Sequence, residues 1–122
     1  MKIIAIVDDS KAVRQSLAHT LEEAGYKVLQ YEDGAQALDG LKETGEAVEL
    51  IFTDFNMPNA NGIELTKRLR ALPDYRKTPI VMLTTESQEP KMAAGRAVGV
   101  TAWIVKPFGT DKIIEMTKHF LG

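Results

Sequence analysis

Short apolar runs alternate along the chain with longer stretches in which apolar residues recur at helical spacing, and the alternation repeats five times. KIIAIV (2–7), YKVLQY (26–31), VELIFT (48–53), TPIVMLT (78–84) and TAWIVK (101–106) read as strands. Most are continuously apolar, as expected of strands covered on both faces. Helices supply the cover. Val13, Leu17, Leu21 and Ala24 fall at i, i+4, i+8 and i+11, and Ala35, Leu38 and Leu41 at i, i+3 and i+6. Leu65, Leu69 and Leu72 follow at i, i+4 and i+7, and Ile113, Thr117, Phe120 and Leu121 repeat the pattern at the end. The Ala- and Gly-rich stretch from Met92 to Val98 supplies the remaining helix.

The punctuation agrees with these boundaries. Asp33 with Gln36 three residues on reads as a capping box, and Gly25, Gly45 and Gly99 follow helix ends, where a left-handed residue is expected. A strict strand–helix order with short connections implies a parallel sheet with right-handed crossovers and helices on both faces. In open sheets of this kind, sites form beyond the carboxyl ends of the strands.

Composition narrows the class. A chain of 122 residues, 44% hydrophobic and 26% charged, suits one soluble domain covering 1–122. Its longest apolar run, Ile3–Val7, is too short for a membrane span or a secretory signal, so a cytoplasmic location is expected. The absence of cysteine excludes disulfides and thiolate metal sites. A net charge of −2 with no block of Lys or Arg gives no footprint for nucleic acid.

The candidate chemistry lies where the strands end. The first expected strand runs into Asp8-Asp9, the third into Asp54, the fourth into Thr84-Thr85 and the fifth into Lys106-Pro107. An ionised carboxylate next to an apolar core is costly unless a cation pairs with it. Lys106 supplies one positive charge. A divalent ion would supply the rest, and oxygen donors without His or Cys favour Mg²⁺. Taken alone, Asp8-Asp9 reads as a helix N-cap beside Ser10; taken with Asp54, the metal reading is favoured.

These residues, in this order, together with DFNMPNANG (54–62), LTTE (83–86) and VKPF (105–108), resemble the receiver domains of bacterial two-component systems, and among them the CheY-type single-domain chemotaxis regulators. The resemblance covers the whole chain. It implies a flavodoxin-like (βα)5 fold, an α/β architecture whose five-stranded parallel sheet has the order 2-1-3-4-5. It implies Asp54 as phosphoacceptor from a CheA-like histidine kinase, with Lys106 and the Thr84 hydroxyl on phosphoryl oxygens. Backbone N–H groups of Asn56 and Thr85 would complete the cradle. Mg²⁺ would be held by Asp9, Asp54 and the carbonyl of Asn56, with Asp8 reaching it directly or through water. Asn56 and Glu86 occupy positions that bear on phosphoryl lifetime. Trp103 matches a switch position usually held by Tyr or Phe, and a swing of its bulkier ring is the step that the departure puts in doubt. Lys106-Pro107 is a position where the family has a cis bond.

The expected output is docking on a flagellar motor switch or another chemotaxis protein, by a stand-alone monomer that is not an enzyme beyond its own phosphorylation and dephosphorylation. Three alternatives stand beside this one. A receiver cut from a larger regulator, or a regulator of another two-component pathway, would share the same site. A flavin carrier on this fold would need a phosphate cradle where DDSKA places two negative charges. A phosphohydrolase with an aspartyl nucleophile would need a second Asp where Asn56 stands.

Overall fold

The computed structural model describes residues 1–55, 57, 61–85 and 89–122, with Glu89 described by its backbone alone. Five strands, β1 (Ile3–Val7), β2 (Lys27–Tyr31), β3 (Val48–Asp54), β4 (Ile80–Thr84) and β5 (Ala102–Val105), alternate with five helices. The helices are α1 (Lys11–Glu23), α2 (Gly34–Glu43), α3 (Gly62–Arg70), α4 (Glu89–Val98) and α5 (Thr110–Leu121). All strand pairs are parallel, and the sheet order is β2-β1-β3-β4-β5. This is the flavodoxin-like arrangement expected above.

Period two divides the strand side chains between two cores. Ile4, Ile6, Leu50, Phe52, Leu83 and Ile104 pack against Leu17 and Leu21 of α1 and Ile113 of α5. Ala5, Val7, Ile51 and Ile80 pack on the other face, against Ala37 and Leu41 of α2 and Leu65 and Leu69 of α3. A smaller cluster of Phe55, Met82 and Val100, joined by Ile63, Val98 and Trp103, lies beside the second core. Truncating any of the fully buried leucines to Ala should cost about 2–5 kcal/mol.

Local signals performed unevenly. Gly25 (φ 97°) and Gly99 (φ 102°) end α1 and α4 in the left-handed region, as expected. Gly45 does not: α2 stops at Thr44 in an extended conformation, and the Thr44 hydroxyl accepts the Glu46 N–H instead. The capping box at Asp33 is half made. Asp33 accepts the Gln36 N–H at 2.8 Å, but the Gln36 side chain reaches back to Glu32 rather than to Asp33. A short 3-10 turn, Pro73–Tyr75, was not foreseen and fills the α3–β4 connection. β4 starts at Ile80 rather than 78, since Pro79 has no N–H to give and the Thr78 carbonyl accepts from Arg70.

Candidate phosphoacceptor and metal site

Strand register builds the site. Val7 pairs with Thr53, so the next residues, Asp8 and Asp54, stand side by side. Thr84 pairs with Val105, which brings Lys106 one step further along the same rim. The parity that points Ile4 and Ile6, Leu50 and Phe52, and Ile104 into one core carries on to Asp8, Asp54 and Lys106. The apolar stripe therefore ends in a polar cluster on the same face. Lys106 Nζ lies 3.2 Å from Asp8 Oδ2 and 3.2 Å from Asp54 Oδ1. Asp8 is fully buried, Asp54 is 8% exposed and Asp9 is open to solvent.

The surrounding backbone holds these groups in place. Asp8 continues the β1–β2 pairing through its N–H to the Tyr31 carbonyl at 3.1 Å, and its Oδ1 accepts the Ser10 N–H at 2.9 Å. Ser10 itself caps α1, accepting the Val13 N–H, so neither aspartate is spent as the cap. Gly62 opens α3 so close to the end of β3 that a Cβ on it would sit 2.7 Å from the Asp54 carbonyl oxygen and overlap the Met82 sulfur. Asn61 caps α3 by accepting the Glu64 N–H at 2.9 Å. The Lys106–Pro107 bond is cis, and the Lys106 N–H donates to the Thr84 carbonyl at 2.7 Å. Thr84 is buried at the end of β4, with Thr85 exposed beyond it. Asn56 and Glu86 lie outside the described residues.

The electrostatics of the cluster favour a further cation. Burial pushes the Asp54 carboxyl above its ordinary value, Asp8 adds to the rise, Lys106 opposes it and Asp9 adds a little more. Burial works to lower the Lys106 ammonium, yet Asp54 and Asp8 outweigh it and leave the group raised. Among the described residues, three carboxyl groups gather around one ammonium. One oxygen from each of Asp8, Asp9 and Asp54 lies within 4.8 Å of the others. Octahedral Mg²⁺ with ligands at about 2.1 Å spaces its oxygens by roughly 3–4 Å, so this hard, all-oxygen donor set fits that ion with little closure. Among the described residues, both Asp8 oxygens and one Asp54 oxygen accept a hydrogen bond.

Two features escaped the sequence reading. Arg14 Nη1 donates to the Asp8 carbonyl at 2.6 Å and ties the β1–α1 turn to the helix. Its signal was present: α1 opens on Lys11 and Arg14 with no acid in its first turn, against the helix dipole, so those charges need a local partner. The second is an apolar cleft of about 550 Å³ beside Lys106, lined by Ala12, Val13, Leu17, Pro107 and Phe108 among others.

Comparison with known proteins agrees with this geometry. Residues 4–118 match the model of the response regulator receiver domain. The chain is 39% identical over 123 aligned positions to the chemotaxis protein CheY homolog of Campylobacter jejuni subsp. jejuni, covering 100% of this chain and 93% of that one. It is 37% identical to chemotaxis protein CheY1 of Helicobacter pylori, covering 100% and 98%. The solved structure of Vibrio cholerae chemotaxis protein CheY4 superposes with a TM-score of 0.94 at 40% identity, covering 99% of each chain. A family match across nearly the whole chain, on a fold whose strand ends gather an acidic cluster around a lysine, places this protein among the CheY-like receiver domains of two-component response regulators.

Proposed function

We propose that the protein accepts a phosphoryl group on Asp54 from the phosphohistidine of a histidine kinase and passes the signal on by binding a partner. The observation that carries this reading is the buried Asp54 carboxylate, 3.2 Å from the Lys106 ammonium and within 4.8 Å of the Asp8 and Asp9 oxygens. An Asp54 oxygen attacks phosphorus, the new P–O bond forms as the P–N bond breaks, and the leaving imidazole keeps the electron pair. Asp8, Asp9, Asp54 and the Asn56 carbonyl would hold Mg²⁺, which supplies charge neutralisation for the transferring group. Lys106 is set to pair with a phosphoryl oxygen, and the Thr84 hydroxyl with another. Little covalent chemistry is asked of the protein; positioning and charge compensation do most of the work. The apolar cleft beside Lys106 offers the kinase domain a surface next to the acceptor.

The output we propose is a chemotaxis component, a CheA-like kinase acting upstream and the flagellar motor switch or another chemotaxis protein downstream. The support is the extent of similarity to chemotaxis regulators across the chain. Incubation with acetyl phosphate and Mg²⁺ followed by intact mass tests the chemistry. A phosphoryl adduct is expected on the wild type and absent on Asp54→Ala. An adduct of equal yield on both proteins would remove Asp54 from its role.

A further inference from the structure

Trp103, the single tryptophan of the chain, pairs with Met82 across β4 and β5 and so faces the side of the sheet covered by α4. Its ring is seated against Gly95, inside α4. A Cβ built on Gly95 would overlap the indole Cζ2 and lie 2.9 Å from Cη2. The indole N–H is buried and has no acceptor among the described residues, a costly state that a seated ring tolerates only if its packing compensates. The indole also meets Phe55, with ring centroids 6.2 Å apart. Phe55 directly follows Asp54, and Lys91, near the start of α4, sits 5.6 Å from the centre of the Phe55 ring. The far end of α4 is tied down: the Val100 N–H bonds the Gly95 carbonyl at 2.9 Å, and the Gly99 carbonyl accepts twice from Arg70.

We propose that Gly95 is a steric notch holding the Trp103 indole inside the β5–α4 interface before phosphorylation, so that the amino-terminal half of α4, pressed through Phe55, is the part that moves. The proposal rests on Asp54 being the acceptor. The indole is seated against Gly95 and Phe55, so the proposal assigns transmission to the helix that carries the notch rather than to a rotation of the ring. What remains is a contiguous path from Asp54 to Phe55 and from there to α4, both directly through Lys91 and through the indole. Because α4 is anchored at Gly99, a push at its opposite end tilts the helix about that anchor.

The lone tryptophan makes the test direct. Ala in place of Gly inside a helix ordinarily stabilises. Here Gly95→Ala is expected to lower the melting midpoint, shift Trp103 emission to the red and raise acrylamide quenching to that of an exposed indole. Gly95→Ala combined with Trp103→Phe, which shrinks the ring, should recover the midpoint. Wild-type quenching should change less on treatment with acetyl phosphate and Mg²⁺ than it does with Gly95→Ala, while amide hydrogen exchange in residues 89–98 changes. A raised midpoint in Gly95→Ala, no recovery in the double variant, a large drop in quenching on phosphorylation, or unchanged exchange across α4 would each overturn the proposal. Intact mass run in parallel separates the two levels. Absence of an adduct defeats the acceptor reading and the tilting step with it, whereas the Gly95→Ala arm reads the notch with no phosphate present.

Discussion

Two half-buried cations stand at opposite ends of the sheet, and they are satisfied in different ways. Lys106, at the carboxyl ends of the strands, pairs with two carboxylates at 3.2 Å, and these outweigh burial to raise its pKa. Arg70, near the amino ends of β4 and β5, bonds the carbonyls of Tyr75, Thr78 and Gly99 at 2.6–2.7 Å, and burial alone lowers its pKa. Backbone dipoles cannot leave, titrate or be esterified, so Arg70 is a permanent clamp on the α3–β4 and α4–β5 connections. Carboxylates can take a proton, a metal or a phosphoryl group. The Lys106 pairing is therefore exchangeable, and it sits where exchange has a use.

The largest effect should come from breaking the exchangeable pair. On the proposed mechanism Lys106→Met removes the ammonium that pairs with a transferring phosphoryl oxygen, and the rate of phosphorylation by acetyl phosphate at saturating Mg²⁺ should fall about 10²–10³-fold, the usual loss on deleting one such donor. The same variant leaves Asp8 and Asp54 facing each other without a countercharge. Added Mg²⁺ should therefore raise its melting midpoint by more than it raises that of the wild type. A midpoint response to Mg²⁺ equal to that of the wild type would show that Lys106 and the ion do not share this acidic pocket.

Breaking the fixed clamp should lower stability without changing the chemistry at Asp54. Arg70→Ala strands three carbonyls that accept charge-assisted bonds, at a cost of about 2–3 kcal/mol in chemical denaturation. Mg²⁺ should not rescue it, and phosphorylation of the folded fraction should proceed at the wild-type rate. Arg70→Lys should recover only part of the loss, because a point charge cannot reach three carbonyls as a planar fork does. A Mg²⁺-dependent rescue would mean that the two ends of the sheet are coupled and that the contrast between the cations is wrong.

The same contrast explains what the sequence disclosed. Parallel order, the two cores and the meeting of Asp8, Asp9, Asp54 and Lys106 were all legible, because each follows from the period of apolar residues and from where a strand stops. A charge at the end of an apolar run is conspicuous. Arg70 was invisible for the opposite reason: its partners are backbone carbonyls, which every residue carries, and it closes a helix where a basic residue is ordinary. Gly95 was equally silent, since the indole that requires it arrives from β5 only in three dimensions. Gly45 misled because a glycine after a helix licenses a left-handed turn without requiring one, and the Thr44 hydroxyl offered the backbone another route.

The smallest effect, and the one with the most informative sign, concerns the acceptor itself. The folded carboxyl of Asp54 titrates above its ordinary value, chiefly through burial and next through Asp8, with Lys106 pulling the other way. A raised carboxyl favours the fold while it is protonated. That contribution is whole below the ordinary value of about 3.9 and is lost as pH rises through the folded value, so at neutral pH the chain bears the full penalty of ionising Asp54. Lys106 follows the same sign rule at the alkaline end: its stabilisation is present below its ordinary value of about 10.4 and lost as pH rises through its raised folded value, and its own proton adds no pH dependence in the acid range. Asp54→Asn cannot ionise, and it keeps Lys106 paired to Asp8. In metal-free buffer it should be more stable than the wild type at pH 7, by about 0.5–2 kcal/mol, the usual gain from one stabilising substitution. The advantage should shrink on acidification and vanish below about pH 3.9, where both chains carry a neutral side chain at this position. Mg²⁺ should also erase it at pH 7, by stabilising the wild type and not the variant. An Asn variant less stable than the wild type at pH 7 in metal-free buffer would mean that Lys106 more than compensates the buried charge, and that the rim is a finished ion pair rather than a site held open for a ligand.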